Sequence, residues 1–380
     1  MLMRKFYPLS GGYQNQALRL ATELRKNGFN VYVVTQRHGT LAPYEMHQGI
    51  PIHRVFAFPS GHLAAWSYLA SAFLWMMRNR DRFQIIHANR SSSGLVAGLI
   101  GFLLRKPVLY KLTRGDEIDV KGFRTTWLGR LKVQCLKHTV DKFVAITQKI
   151  EEDLRLLGIP PSQLARIPNG IDLNHVSSSH KSERVKLELG WDSQTKVVTY
   201  VGRLIPAKGI DWLLELWQDV VRQDALARLL IIGDGPQRAA LEAAASASGT
   251  NGTVAFIGYQ KQVPRFLAIS DIFVLPSRLE GVSNSLLEAM CQGLPVVVAD
   301  DRLGGNREVV DDEIDGYVIK PGDSASYAGV LVKLLRDAEL RRRVGEKGRD
   351  KIKQKFSLQS VADGYCHIYS ELSTRSRCNQ

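Results

Sequence analysis

Cysteine is scarce in this chain, which has four in 380 residues. The four are scattered and form no C-x-x-C pair, which excludes a disulfide scaffold and argues against a zinc ribbon. They are Cys135, Cys291, Cys366 and Cys378.

Long apolar segments are also missing. The longest, Leu63–Met77, has 15 residues, which is fewer than the roughly 20 that cross a bilayer. The basic N-terminus leads into a turn rather than into the apolar core of a signal peptide. Leu63–Met77 predicts a helix with two interpretations. It is either a core helix whose C-terminal cations complement its dipole, or a membrane-surface helix that presents Trp66, Trp75 and arginines. The arginines are Arg78, Arg80 and Arg82.

Acidic side chains are few in the first half. Residues 1–180 contain 24 Lys and Arg but only 11 Asp and Glu, whereas residues 181–380 contain 27 and 26. The excess predicts a basic face directed at nucleic acid, an anionic membrane or an anionic substrate, unless it serves only solubility. The remaining composition, 44% hydrophobic and 23% charged, is that of a globular protein and excludes a disordered, collagenous or coiled-coil chain.

What is present is a repeated alternation of short β-branched runs with helical patterns, broken at a polar stretch, residues 174–186. The alternation predicts parallel sheets with helices on both faces. We therefore predict an α/β protein of two doubly wound, Rossmann-like domains facing across a cleft, with ligands beyond the carboxyl ends of the strands. The predicted domains are residues 1–174 and 175–355, and residues 356–380 form a helix that crosses back to the first domain. The predicted strands are Asn30–Thr35, Gln84–Ala88, Pro107–Leu112, Lys142–Ile146, Lys196–Val201, Arg228–Ile232, Thr253–Ile257, Ile272–Leu275 and Pro295–Ala299.

Two loops after predicted strands combine glycine with polar residues. Gly202 and Arg203 follow Lys196–Val201, and Lys208 comes five residues after Arg203. A glycine turn with two fixed cations suits a diphosphate, because a guanidinium binds two oxygens at once, although cations beside a turn are also common on surfaces. Gly235, in Gly-Asp-Gly-Pro after the next strand, either permits close approach of a ligand to the backbone or simply makes a turn.

The most informative segment is Pro276–Met290. Helical periodicity begins around residues 283–285, so the free amides of a helix N-terminus are available there for phosphate oxygens. Glu280 precedes this helix and can hold sugar hydroxyls, and Glu288 can take both hydroxyls of a ribose. The alternatives are a solvated loop charge for Glu280 and a capping box with Ser285 for Glu288.

The first domain has its own glycine loop, Ser10-Gly11-Gly12, before its first helix. If the domains face each other, this loop meets a ligand; otherwise it is a flexible turn. His87 either lines the cleft or packs in the core, and packing is the usual role of a single histidine.

Together these segments resemble the GT-B glycosyltransferases of family 4, retaining enzymes that use nucleotide sugars. The resemblance covers nearly the whole chain in order, and its motifs are specific in combination. They are the SGG loop, QALRLATELRKNGFNVYVVT, QIIHA, VAITQKIEEDL, IPNGID, VGRLIPAKG, GDGP, EGVSNSLLEAMCQGLPVV and DGYVIKPGD.

The resemblance implies roles for matching residues. Arg203 and Lys208 would bind the donor diphosphate and stabilise the leaving group, where charge develops, and Glu280 would contact the transferred sugar. The other donor-binding positions it implies are Gly12, Gly202, Gly235, the backbone amides of Ser283 and Asn284, and Glu288 at the ribose. No DxD motif is placed to hold a metal, so neither a metal nor another cofactor is expected to be essential.

Two positions depart from the family pattern. Many relatives have Glu where this chain has Gln14, and many have His-Gly where it has Arg114-Gly115. Both lie in the acceptor half, so the resemblance leaves acceptor chemistry open. The first strand is short, about Leu2–Phe6, and the true start of the chain is expected either upstream or at this short strand.

We therefore expect a retaining hexosyl- or N-acetylhexosaminyltransferase that moves a sugar from a UDP-sugar, or a GDP-sugar, to a glycan or lipid-linked acceptor in polysaccharide, lipopolysaccharide or glycolipid assembly. One alternative is a nucleotide-sugar epimerase of the same fold, which would need an acid–base pair that the sequence does not identify. The other is a basic nucleic-acid-binding protein, for which no recognition motif is present.

The basic excess then belongs to the acceptor domain. We expect it to meet an anionic membrane surface or a lipid diphosphate, which implies a cytoplasmic enzyme, peripheral on the inner face of the membrane. The cations concerned are Arg78, Arg80, Arg82, Arg105, Lys106, Lys111, Arg124 and Arg130.

Overall fold

The computed structural model describes residues 1–9, 11–58, 61–89, 91–113, 120–173 and 183–378. The chain divides into two compact units. The first unit is Met1–Gly170 together with Leu358–Gln380, and the second is Ile171–Ser357; the predicted boundaries were 174/175 and 355/356. Most of the predicted polar linker, residues 174–182, lies outside the described residues.

Strands and helices alternate along most of the chain. The strands are β1 (Val33–Gln36), β2 (Tyr44–His47), β3 (Ile50–Val55), β4 (Ile86–Asn89), β5 (Val108–Leu112), β6 (Lys142–Ala145), β7 (Leu164–Arg166), β8 (Lys196–Val201), β9 (Ala227–Ile232), β10 (Val254–Phe256), β11 (Ile272–Leu275), β12 (Val296–Ala299) and β13 (Tyr317–Ile319). The helices are α1 (Gly12–Lys26), α2 (Gly61–Arg78), α3 (Ser91–Leu104), α4 (Val120–Thr125), α5 (Trp127–Thr139), α6 (Gln148–Leu156), α7 (Glu183–Glu188), α8 (Ile210–Gln223), α9 (Arg238–Ala247), α10 (Val263–Leu267), α11 (Asn284–Cys291), α12 (Gly305–Val309), α13 (Ser324–Arg336), α14 (Ala338–Lys355) and α15 (Leu358–Cys378).

In the first unit, Leu2 bridges β1 and β4, and so links the strands β2-β3-β1 to the strands β4-β5-β6-β7. Its N–H donates to the His87 carbonyl at 2.8 Å. The strand expected at Leu2–Phe6 is reduced to this bridge, because the chain turns after Phe6, where Leu9 N–H donates to the Phe6 carbonyl. All pairings in this unit are parallel except that of β2 with β3.

The antiparallel hairpin β2–β3 was not predicted. Gln48 and Gly49 form its turn with φ of 48° and 75°, the positive values that a two-residue hairpin turn requires. Because β2 is an edge strand, its residues alternate between exposed and half-buried. It therefore lacks the continuous apolar run by which strands such as β8 and β11 were predicted.

Helices cover both faces of the first unit's sheet. Leu109 of β5 packs in a core with Leu20 of α1 and Tyr365 of α15. The next residue, Tyr110, points to the opposite face, where its ring lies so close to Gly94 of α3 that a Cβ there would be 2.8 Å from it. This opposite face is covered by α2, α3 and α5.

Helix α2 buries one face, which includes Tyr68 and Met76, as the core-helix interpretation of Leu63–Met77 predicts. Trp75 packs against the His53 ring, with centroids 4.7 Å apart, so it is not presented on a surface as the membrane-helix interpretation required. Trp66, in contrast, is 72% exposed.

In the second unit, one parallel sheet has the strand order β10-β9-β8-β11-β12-β13. Its strands are apolar because helices bury both faces; Val197, Val198 and Tyr200 of β8 are fully buried. β8 and β11 have the predicted bounds, and the predicted α/β fold with parallel sheets is confirmed. Chain order runs outward in opposite directions from β8 and β11, so this pair forms the topological switch point at which such sheets bind ligands.

Candidate active site

The loops that follow β8 and β11 lie side by side at the switch point. Gly202 begins the first loop, and its N–H donates to the Ile232 carbonyl at 2.9 Å. The loop ends in a 3-10 turn, Pro206–Lys208, capped by Gly209 in the left-handed conformation with φ 66°. A Cβ at Gly209 would collide with the carbonyl of Pro276, the first residue after β11. Glycine at 209 therefore lets the two loops pack backbone against backbone.

An ion pair joins these loops: the Lys208 ammonium donates to Glu280 Oε2. The Lys208 side chain is 16% exposed and that of Glu280 is 13% exposed, so the solvated-charge interpretation of Glu280 is wrong. Arg203 is exposed, and within the described ranges its guanidinium forms no ion pair with a carboxylate. The structure thus places a lysine–glutamate ion pair and an exposed arginine, which has no carboxylate partner among the described residues, at the carboxyl edge of the sheet.

The loop after β12 holds the backbone of Glu280 through a hydrogen bond to Asp301. Asp301 accepts hydrogen bonds from the backbone N–H groups of Glu280 at 3.2 Å, Leu303 at 2.9 Å and Asn306 at 2.8 Å. Burial raises the pKa of Asp301, although these bonds oppose the shift. Asp301 was not predicted from the sequence. Its signal was an aspartate just past a buried strand, the position at which the other site residues lie.

Gly235, in the loop after β9, packs on the loop after β8. A Cβ there would lie 2.8 Å from the backbone N and C atoms of Leu204, and Leu204 N–H donates to the Asp234 carbonyl at 3.0 Å. The Tyr200 hydroxyl donates to the Arg203 carbonyl at 3.2 Å. The close contact with Leu204 is enough to require a glycine at 235, and the bond from Tyr200 holds the backbone of Arg203 in place.

Helix α11 begins directly after the Glu280 loop, with Ser283 as its N-cap. Ser285 Oγ donates to the Val201 carbonyl at 2.9 Å and so holds the helix N-terminus against the end of β8. The first helical bond runs from Leu287 N–H to the Ser283 carbonyl, so the helix begins at Ser283, beside the end of β8. The capping box of Ser285 with Glu288 is not formed, because Ser283 is the cap; Glu288 is half-buried in the second turn.

Gly12 opens helix α1 of the first unit, while Ser10 of the same loop lies outside the described residues. A Cβ at Gly11 would be 3.1 Å from Gln14 Cδ. Gln14 is buried and its Oε1 accepts no hydrogen bond within the described part of the chain. Arg114, the other departure from the family pattern, also lies outside the described residues.

His87 packs in the first unit's core, as the simpler interpretation predicts. Its Nδ1 is 2.6 Å from the Tyr369 hydroxyl, its ring stacks on Tyr365 with centroids 5.4 Å apart, and burial holds its pKa well below the ordinary value. Lys111 is also buried, 3.4 Å from Asn169 Oδ1. Assigning Lys111 to a basic surface was therefore wrong; it lies on a strand covered on both faces.

No cluster of three or more His, Cys, Asp or Glu side chains that could hold a metal is found among the described residues. Across the same ranges, no helix has both the length and the apolar character needed to cross a membrane.

Two family models match the chain. The model for Glycosyltransferase Family 4 matches residues 10–175, and the model for Glycosyl transferases group 1 matches residues 181–351. The chain is similar to the alpha-D-kanosaminyltransferase of Streptomyces kanamyceticus, with 26% identity over 82% of this chain and 84% of that protein. It is also similar to the UDP-Gal:alpha-D-GlcNAc-diphosphoundecaprenol alpha-1,3-galactosyltransferase of Escherichia coli, with 24% identity over 96% of this chain and 95% of that protein.

A solved structure shares the fold. Anabaena HepE, crystallised with UDP-glucose, has a TM-score of 0.79 and 21% identity to this chain, over 97% of this chain and 98% of HepE. The two family models together match most of the chain, and the likeness to HepE covers 97% of it. The predicted family is thus confirmed: the chain belongs to the family 4 glycosyltransferases, with the GT-B fold.

Proposed function

We propose that this glycosyltransferase moves a hexosyl or N-acetylhexosaminyl group from a UDP-sugar to a glycan or lipid-linked acceptor, with retention of anomeric configuration. The observation that carries the proposal is the contact of Lys208 with Glu280 at the switch point. In a nucleotide sugar the anomeric carbon is bonded to a phosphate oxygen, so phosphate oxygens and sugar hydroxyls are close neighbours. The Lys208 ammonium can donate hydrogen bonds to the phosphate oxygens, and the Glu280 carboxylate beside it can accept hydrogen bonds from the sugar hydroxyls.

The loop after β8 supplies the charge that the leaving group needs. Arg203 is free to bind two phosphate oxygens, and Lys208 neutralises the charge that develops as the nucleoside diphosphate departs. Preorganised cations act most strongly in the transition state, since the charge is greatest there. We propose that these two cations make a bound metal unnecessary.

Helix α11 contributes the second phosphate contact. The backbone amides of Ser283 and Asn284 stand at its N-terminus, where the helix dipole favours an anion. Glu288 lies one turn further along, and we assign it to the ribose hydroxyls. Gly202 and Gly235 let the neighbouring loops pack close together, and we assign Gly12, at the start of α1, to donor binding.

Retention follows from attack on the face that the leaving group vacates. The bond from the anomeric carbon to the acceptor oxygen forms as the bond to the phosphate oxygen breaks, and that phosphate oxygen accepts the acceptor's proton. Glu280 is held by Lys208, so its role is to orient sugar hydroxyls rather than to attack carbon.

Two similar proteins support the choice of UDP as the nucleotide of the donor. The Escherichia coli relative is named for UDP-galactose, and HepE was crystallised with UDP-glucose. The test is a thermal-shift screen of UDP-, GDP- and ADP-sugars, followed by transfer assays with the donor that stabilises the protein most. A UDP-sugar is expected to raise the melting temperature, and GDP- or ADP-sugars that do so instead would overturn the choice of nucleotide.

Glu280→Gln tests the site assignment. It keeps the size of the side chain but removes the charge, and transfer should be lost, whereas Glu215→Gln on the exposed face of α8 should behave as the wild type. Incubation with labelled donor and no acceptor separates the alternatives: an epimerised sugar nucleotide without transfer would favour the epimerase over the transferase.

A further inference from the structure

Three helices of the first unit present large apolar side chains to solvent on one side of the molecule. We call these nine residues the apolar helix face. They are Leu63, Trp66 and Leu74 of α2, Leu99, Phe102 and Leu103 of α3, and Trp127, Leu128 and Leu131 of α5. Trp66 and Trp127 are each 72% exposed, and Phe102 is 68% exposed. Single exposed apolar residues are ordinary, but a group of them on neighbouring helices marks an interaction surface.

These side chains are not needed for the core, because each helix fills the core with its other face. In α2 the buried residues include Tyr68, and in α5 they include Val133 and Leu136. The helices are neighbours: α2 packs on α3, and α3 packs on α5. The second contact is tight, since a Cβ at Gly98 would be 3.0 Å from the Thr139 Cβ. The exposed residues of the three helices therefore share the outer side of one helical layer.

The charge of this layer is of one sign. Neither α2, α3 nor α5 contains an aspartate or a glutamate. Exposed arginines stand at the ends and border of the same layer. They are Arg78 at the end of α2, Arg105 just after α3, Arg124 at the end of α4 and Arg130 on α5. An apolar surface on helices without carboxylates, bordered by exposed arginines, complements a surface that is apolar beneath an anionic layer.

We propose that the apolar helix face docks on an anionic phospholipid bilayer. The aromatic and leucine side chains enter the boundary between headgroups and acyl chains, and the arginines bind lipid phosphates. The helices lie in the plane of the membrane rather than crossing it. The proposal goes beyond the proposed function, because this surface is on the first unit whereas the lysine–glutamate pair is on the second, and lipid binding is measured without any transfer reaction.

The test is co-sedimentation of the full-length protein with vesicles of phosphatidylcholine alone or of phosphatidylcholine mixed with phosphatidylglycerol. The wild type should sediment with the mixed vesicles only. The variant Trp66→Ser/Phe102→Ser/Trp127→Ser should bind them at least about 10-fold less tightly, because three exposed apolar anchors are lost. Reversing charge with Arg78→Glu/Arg105→Glu should also abolish sedimentation.

Matched controls come from the second unit. Leu187, Leu226 and Ile314 are also exposed, so Leu187→Ser/Leu226→Ser/Ile314→Ser makes the same chemical change elsewhere and should bind vesicles as the wild type does. Lys320→Glu/Lys347→Glu is the corresponding charge control. Circular dichroism melts check that each variant is folded.

Two outcomes would overturn the proposal. In one, the wild type does not sediment with anionic vesicles, whether or not it transfers sugar. If the protein then self-associates in sedimentation velocity and the triple serine variant does not, the apolar helix face joins two copies of the chain instead. In the other, the triple serine variant binds vesicles as tightly as the wild type. Loss of transfer by Glu280→Gln with lipid binding unchanged would leave both proposals standing.

Discussion

Replacing Lys208 with alanine tests the proposed chemistry most directly. The ammonium contacts Glu280 and the Lys208 side chain is 16% exposed, so the change removes a largely buried cation from the place where the leaving group would gain charge. Removing one preorganised electrostatic donor of this kind costs about 2.7–4 kcal/mol, or roughly 100- to 1,000-fold in kcat. We expect a loss of that size for Lys208→Ala, together with a higher KM for the donor, because a ground-state phosphate contact is also lost.

The same change affects stability, which must be separated from catalysis. Breaking a fully buried ion pair costs about 3–5 kcal/mol, but both partners here retain some contact with water, so about 1–2 kcal/mol is expected. The double variant Lys208→Ala/Glu280→Gln no longer holds an unpaired carboxylate. It should recover most of the lost melting temperature and remain inactive.

A matched control lies at the opposite end of β8 from the Lys208 loop. Lys196 Nζ is 2.7 Å from Asp224 Oδ2, and Asp224 is 7% exposed, but the pair is at the amino end of β8. Lys196→Ala should lower the melting temperature as much as Lys208→Ala and leave kcat per folded molecule unchanged. The reasoning is refuted if Lys208→Ala keeps kcat within about threefold of the wild type in a labelled-donor transfer assay.

Three further changes have expected outcomes. Gly209→Ala combines a left-handed φ with a methyl group against the Pro276 carbonyl, so urea unfolding should show that the free energy of unfolding falls by about 2–3 kcal/mol. Gly249→Ala has φ 70° but open space around the new methyl group, so its free energy of unfolding should fall by only about 1 kcal/mol. Equal losses would contradict the contact between the two loops. Burial lowers the pKa of Lys111 from 10.5 to about 8, so between these values the unfolded state binds more protons and stability rises with pH. Lys111→Met should therefore raise the free energy of unfolding by about 3 kcal/mol at pH 7, and the gain should shrink by that amount above pH 10.5. A gain independent of pH would contradict the assignment. Transfer should persist after treatment with EDTA, and a rate that falls and returns with Mg²⁺ would contradict the proposal that the two cations suffice.

Much of the second unit's sheet could be predicted because its strands are buried on both faces. Such strands are continuous apolar runs, and the bounds of Lys196–Val201 and Ile272–Leu275 were predicted without error. Residues that follow them meet at one edge of the sheet, which is why Lys208 and Glu280 were found together.

What the sequence did not predict depends on neighbours distant in the chain. The edge strand β2 has no apolar run, so nothing in its own residues distinguishes it from a loop. Lys111 looks like a surface cation until the sheet is assembled, because a strand pattern alone does not tell that both of its faces are covered. Asp301 is a supporting residue that acts through the backbone of Glu280, and a hydrogen bond to backbone leaves no side-chain pattern at its partner.

The glycines of the site have a structural reason that differs from the one their sequence motifs suggest. In sequence, a glycine after a strand predicts close approach of a ligand. In the structure, Gly209 admits the Pro276 carbonyl, Gly235 admits the backbone of Leu204, and Gly305 lies against the backbone of the Glu280 loop. Four neighbouring loops are thus packed backbone to backbone through three contacts, which is how Lys208 and Glu280, 72 residues apart in the chain, come into contact. A substitution at one of these glycines should therefore reduce transfer by separating charged side chains that it does not itself touch.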